Sequence, residues 1–267
     1  MENSLETTLN KNGSHGIAEN SLSYRLFDAS YDKEISKGSK DSLLGGLYKN
    51  ITDITSNINP DASGKEVLNA LEKEIFAKVK YRENSIYSRD FTSKTPSVNC
   101  VGYASVFVSC LEQIGRKDIL AGITVKNDGK HAWLEVNTNG DKFEFNRQNH
   151  YASKAYGLNY LEALNANSLG SEFAQAANFN EAVRVFKGIS ASNGNFEIGQ
   201  RNLRTISGYS SEHLNFNNSS LVNPQCNDCN GVNSDCHCLC PGRLLKPVFG
   251  DDNFFSQICL LCLHTLC

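Results

Sequence analysis

Three side chains of this chain could together break or transfer an acyl group: Cys100, His131 and Asn146, separated by 31 and 15 positions. A thiol attacks only as its thiolate, so it needs a base within hydrogen-bond reach. That base in turn needs a partner to hold its tautomer. In this reading Cys100 is the nucleophile. His131 takes the thiol proton and later returns it to the leaving group, and Asn146 accepts from His131 Nδ1–H through its side-chain oxygen. Trp133 walls the substrate pocket. Backbone N–H groups at the start of a helix beginning near Cys100 hold the developing oxyanion.

The elements that must position these groups are legible around them. Val101, Ala104, Phe107, Val108, Leu111 and Ile114 recur at helical spacing after Pro96-Ser97, with Asn99 as N-cap and an end near Gly115. Cys100 then falls in the first turn, where the helix dipole favours a thiolate. Cys110, ten residues on, reads as core. Ile119 to Val125 reads as a strand, and Asn127-Asp128-Gly129 as a turn. From His131 to Val136 the pattern alternates, with Ala132, Leu134 and Val136 on one face and His131, Trp133 and Glu135 on the other. Asn139-Gly140 is a hairpin signal, and Lys142 to Asn146 alternates as the returning strand. With Asn139 and Gly140 as the loop, paired positions sum to 279, which sets Asn146 opposite Trp133 and Gln148 opposite His131. Asn146 is then one diagonal step from His131, roughly 7–8 Å at Cα. Gln148 and Asp141 are the rival orienters, and His150 reads as loop surface.

The run Cys100-x-x-Tyr103-Ala104, the Leu111…Ile114-Gly115 helix end, the strand after it and His131-Ala132-Trp133-x-Glu135-Val136 resemble the transglutaminase-like superfamily of papain-type cysteine enzymes. The resemblance covers residues 96–148 well and about 60–190 loosely. It implies an α+β fold with a papain/transglutaminase-like core, in which a Cys-bearing helix packs on an antiparallel sheet bearing His and Asp or Asn. It also implies acyl chemistry on protein or peptide amides through a thioester, as in proteases, transglutaminases and deamidases. The sequence departs from the family pattern at Val98, where Gly is frequent, and at Asn146-Arg147-Gln148, where Asp-Pro-Thr is usual. Asn serves as orienter in papain-like enzymes.

The remaining chain divides by composition. Residues 1–40 read as a polar N-terminal arm, 41–190 as the catalytic domain, 191–223 as a polar linker and 224–267 as a cysteine-rich tail. Within the domain, helices are expected over Ser42–Ile58 and Lys65–Tyr81, with 82–98 irregular, and the clearest later helix spans Ser171–Lys187. A net charge of −3 offers no electrostatic reason to expect nucleic acid. The start Met1-Glu2-Asn3-Ser4-Leu5-Glu6 lacks a secretory pattern, so the expected location is cytoplasmic, or exported without a cleaved signal. Eight of the ten cysteines lie in the last 42 residues. Cys226-x2-Cys229 and Cys259-x2-Cys262 suit a structural zinc site, the one cofactor expected, while catalysis needs none. Lipid attachment or membrane contact through Phe254-Phe255 and Ile258 to Leu263 competes with zinc, and so do disulfides in an exported protein. The alternative to an enzyme is an interaction module: a catalytically weak core with a metal- or membrane-binding tail.

Overall fold

The computed structural model describes residues 16–138, 140–147, 153–192, 197 and 199–206. It is a mixed α+β arrangement: α1 (Leu22–Ala29), α2 (Lys40–Thr55), α3 (Gly64–Lys78), β1 (Lys80–Tyr81), a π-helical turn (Tyr87–Phe91), β2 (Ser97–Val98) and α4 (Cys100–Gln113). There follow α5 (Lys117–Leu120), β3 (Ile123–Asn127), β4 (Ala132–Thr138), β5 (Asp141–Phe145), β6 (Lys154–Tyr156), α6 (Asn159–Gln175) and α7 (Phe179–Ser192). β5, β4, β3 and β6 form an antiparallel sheet in that order, and β1 pairs parallel to β2.

The helix that opens at Cys100 is the hub. Every residue from Cys100 to Leu111 is buried, as expected of a helix apolar all round. It packs against α1, α2, α3, α6 and β4. Its end follows from Gly115 at φ +76°: Arg116 N–H reaches the Leu111 carbonyl at 3.0 Å and Gly115 N–H the Glu112 carbonyl at 3.1 Å, a Schellman close. On the sheet, Leu134, Val136, Phe143 and Phe145 face the core, and Phe107 stacks on Phe145 with centroids 4.3 Å apart. The hairpin register is the expected one: Leu134↔Phe145, Glu135↔Glu144 and Thr138↔Asp141 each sum to 279. The outer face carries like charges at Glu135 and Glu144, relieved by Lys142 at 2.8 and 3.1 Å.

Several expectations are corrected. The segment 16–40 is not a loose arm: α1 buries Leu26 and Phe27 in the common core. It is tied there by Glu112, whose carboxylate accepts Leu22 N–H at 2.7 Å, Ser23 N–H at 2.8 Å and Ser23 Oγ–H at 2.5 Å. An acid on a distant helix thus satisfies the orphan donors of the α1 N-terminus, which local pattern does not reveal. Ile119 and Leu120 belong to a helical turn rather than to the strand, which starts at Ile123. Residues 82–98 hold the π-helical turn, with Tyr87 and Phe91 buried. The expected Ser171–Lys187 helix is two helices that meet at Ala177, which sits at φ +58° while Asn178 N–H bonds the Phe173 carbonyl at 2.8 Å. After the break the two helices pack against each other. Part of the expected linker, 199–206, is helical, and its buried Asn202 donates to Asn167 Oδ1 at 3.2 Å.

Glu112→Gln should weaken the seat of α1, costing about 2 kcal/mol in urea unfolding, the scale of a lost charge-assisted hydrogen bond. Ala177→Gly should raise stability by about 1 kcal/mol, because a left-handed residue loses its Cβ penalty. An unchanged midpoint would refute the helix break there.

Candidate active site

Cys100 occupies the first position of α4 and is 1% exposed. Asn99 caps the helix: its Oδ1 accepts Gly102 N–H at 2.9 Å, while its Nδ2 donates to the Ser85 carbonyl at 3.2 Å. The cap is therefore bonded to the helix and to the loop before it. Val98 lies over the first turn so closely that a Cβ at Gly102 would stand 2.6 Å from Val98 Cβ. The pair Val98 and Gly102 thus sets how the chain enters the helix that bears the thiol. No acidic side chain stands in this turn to oppose a thiolate.

His131 stands just before the first paired residue of β4, at the rim of the sheet. Asp128 Oδ1 accepts both Lys130 N–H and His131 N–H at 2.8 Å, which closes the turn from β3 and sets the His131 backbone. Trp133, 5% exposed, has its ring 6.1 Å from the imidazole at an interplanar angle of 20°. His131 itself is 4% exposed.

The structure brings His131 and Asn146 together, but through other atoms than expected. His131 Nε2, not Nδ1, makes the bond, and its partner is the Asn146 backbone carbonyl at 2.7 Å, not the side-chain oxygen. The register is as expected, with Phe145 the last paired residue of β5. At Asn146 the chain then leaves the strand at φ +59°. That left-handed turn, which Asn tolerates better than most residues, presents the carbonyl to the imidazole. A carbonyl only accepts, so Nε2 carries the hydrogen and Nδ1 of the neutral ring carries the lone pair. The Asn146 Nδ2 group is buried with no hydrogen-bond partner among the described residues.

Aromatic contacts place the start of α4 at this same end of the sheet. Phe107 stacks on both Phe143 and Phe145, at 6.2 and 4.3 Å. One turn earlier, Tyr103 meets Phe145 at 6.5 Å. Moving toward the start of α4 is therefore moving toward the end of β5, where Asn146 holds His131. Cys100 lies three residues before Tyr103, a further ~4.5 Å along the axis. Asp141 is at the opposite end of β5, paired with Thr138, and is not an orienter. Gln148, His150 and the tail cysteines Cys226, Cys229, Cys259 and Cys262 lie outside the described residues. Among the described residues no group of three or more His, Cys, Asp or Glu is placed to hold a metal, and no helix is long and apolar enough to cross a membrane.

The second described thiol is buried as the first is. Cys110 is fully buried, and burial pushes its thiol far above a free cysteine's range, offset only in part by Lys78. Sequence reasoning missed the Asp128 clamp on His131, though the turn containing it was read. It also missed a cleft of about 50 Å³ beside the cap, lined by Glu83, Ser85, Asn99, Ser168 and Glu172. Compared with family models, curated proteins and solved structures, the chain matches none of them.

Asn146→Gly keeps the left-handed turn and the carbonyl, so His131 should retain its Nε2–H tautomer in 15N NMR spectra. Asn146→Ala should be less stable than the glycine variant by about 1 kcal/mol. A change to the Nδ1–H tautomer in the glycine variant would show that the carboxamide, not the main chain, holds the ring.

Proposed function

We propose that this chain is a cysteine-dependent acyl-transfer enzyme of the transglutaminase-like, papain-type class, acting on protein or peptide amides. The observation that carries this reading is the His131 Nε2–Asn146 carbonyl bond at 2.7 Å, at the end of the sheet where α4 begins with Cys100. With its Nε2 hydrogen committed, the neutral ring has its basic lone pair on Nδ1. That nitrogen takes the Cys100 proton, and the thiolate attacks the acyl carbon. The tetrahedral adduct then collapses as the imidazolium gives its proton to the leaving amine, leaving a thioester on Cys100. Water or a second amine releases the acyl group by the reverse route. The Asn146 carbonyl favours the imidazolium, and the α4 dipole favours the thiolate by about 0.3–1 kcal/mol. A helix opening at the cysteine and packed on an antiparallel sheet is the arrangement a papain/transglutaminase-like core requires. This chemistry needs no bound cofactor. Zinc in the tail, with membrane contact through it as the competing reading, and a cytoplasmic location or export without a cleaved signal accompany this proposal.

The burial of Cys100 favours a second reading, an interaction module whose cysteine never meets substrate. Iodoacetamide separates the two. At neutral pH, with peptide-mapped mass spectrometry, the enzyme should alkylate at Cys100 at least ~10-fold faster than at Cys110, with its rate reduced ~100-fold in His131→Ala. Equal inertness of both thiols would establish the module instead.

A further inference from the structure

We propose that the Asn146 carboxamide is itself a catalytic hydrogen-bond donor: its Nδ2–H group binds the acyl oxygen of the substrate and the oxyanion formed from it. This rests on the acyl-transfer reading above. The main chain of Asn146 already orients His131, so the side chain is not needed for that task. Glycine would meet φ +59° without a Cβ, yet the position carries an amide whose Nδ2 is buried and makes no hydrogen bond among the described residues. Leaving such a donor unpaired is destabilising unless a ligand meets it. Elsewhere the unpaired amide atoms of Asn167 and Asn202 belong to side chains already bonded to each other, and Ser85 Oγ lies at the cleft by the cap. Among these carboxamides, that of Asn146 is the one on a residue bonded to the imidazole. An amide nitrogen only donates, so its ligand is an acceptor, and an acyl oxygen that gains charge during attack is the acceptor this chemistry supplies. Asn146 directly follows the last residue of β5, and Cys100 opens α4.

The test compares two reactions of Cys100 in the full chain under reducing conditions. With p-nitrophenyl acetate, the sulfur bonds the acetyl carbon, the carbonyl electrons move to oxygen, and collapse expels p-nitrophenolate, leaving acetyl-Cys100. With iodoacetamide, the sulfur displaces iodide at a saturated carbon and no oxyanion forms. In Asn146→Gly, acetylation should fall ~100-fold relative to wild type while alkylation changes less than ~3-fold. Asn146→Asp, which exchanges the donor for an acceptor, should acetylate no faster than the glycine variant. Parallel loss of both reactions, or loss of neither, overturns the role of the carboxamide and leaves the acyl-transfer reading standing. A wild-type Cys100 no more reactive than Cys110 toward either reagent overturns both.

Discussion

The contact between Phe107 of α4 and Phe145 of β5 is the joint on which the molecule turns. Two fully buried rings stack with centroids 4.3 Å apart, and Tyr103 and Phe76 close around Phe145 from the helix side. Such aromatic pairs bury large apolar surfaces and restrict how helix and sheet meet. Because Phe145 is the last residue of its strand and Tyr103 lies in the second turn of its helix, this packing also aligns their ends. The packing that seats the helix thus also sets where its first turn lies relative to the end of β5.

At that rim the work is divided between main chain and side chain. The His131 backbone is held by an aspartate in its own turn, and its ring by a carbonyl one strand away. Both partners sit on short turns attached to regular strands, so the imidazole inherits the rigidity of the sheet. A main-chain acceptor also makes the tautomer insensitive to side-chain rotation. The same left-handed turn that presents the carbonyl leaves the carboxamide available for another role.

The helix that opens at Cys100 is held from every direction, including by the segment before residue 40. Glu112, near its far end, satisfies two amides and a hydroxyl at the start of α1. Ser105, in the second turn, accepts from Asn165 of α6 and donates to the Val101 carbonyl, at 2.8 and 2.9 Å. These buried polar ties fix register where apolar packing alone would tolerate sliding.

The amino-acid sequence alone determined what local chemistry can determine. The Asn99 cap, the Gly115 stop and the hairpin register all follow from turn residues and short periodicities acting over a few positions. So did the candidates Cys100, His131 and Asn146, because residue type and strand alternation are local properties. Tertiary structure decided which atoms meet. Pairing rules placed Asn146 near His131, but only the departure of the chain from the strand, at φ +59°, chose carbonyl over carboxamide and Nε2 over Nδ1. The membership of α1 in the core and the break at Ala177 were equally hidden. In the first, the partner is a glutamate 90 positions away from Leu22; in the second, the left-handed residue falls between two segments that each have helical character of their own. Long-range hydrogen bonds and the reversal of a chain leave little trace in neighbouring residues, since their energy is supplied by groups that only folding brings together.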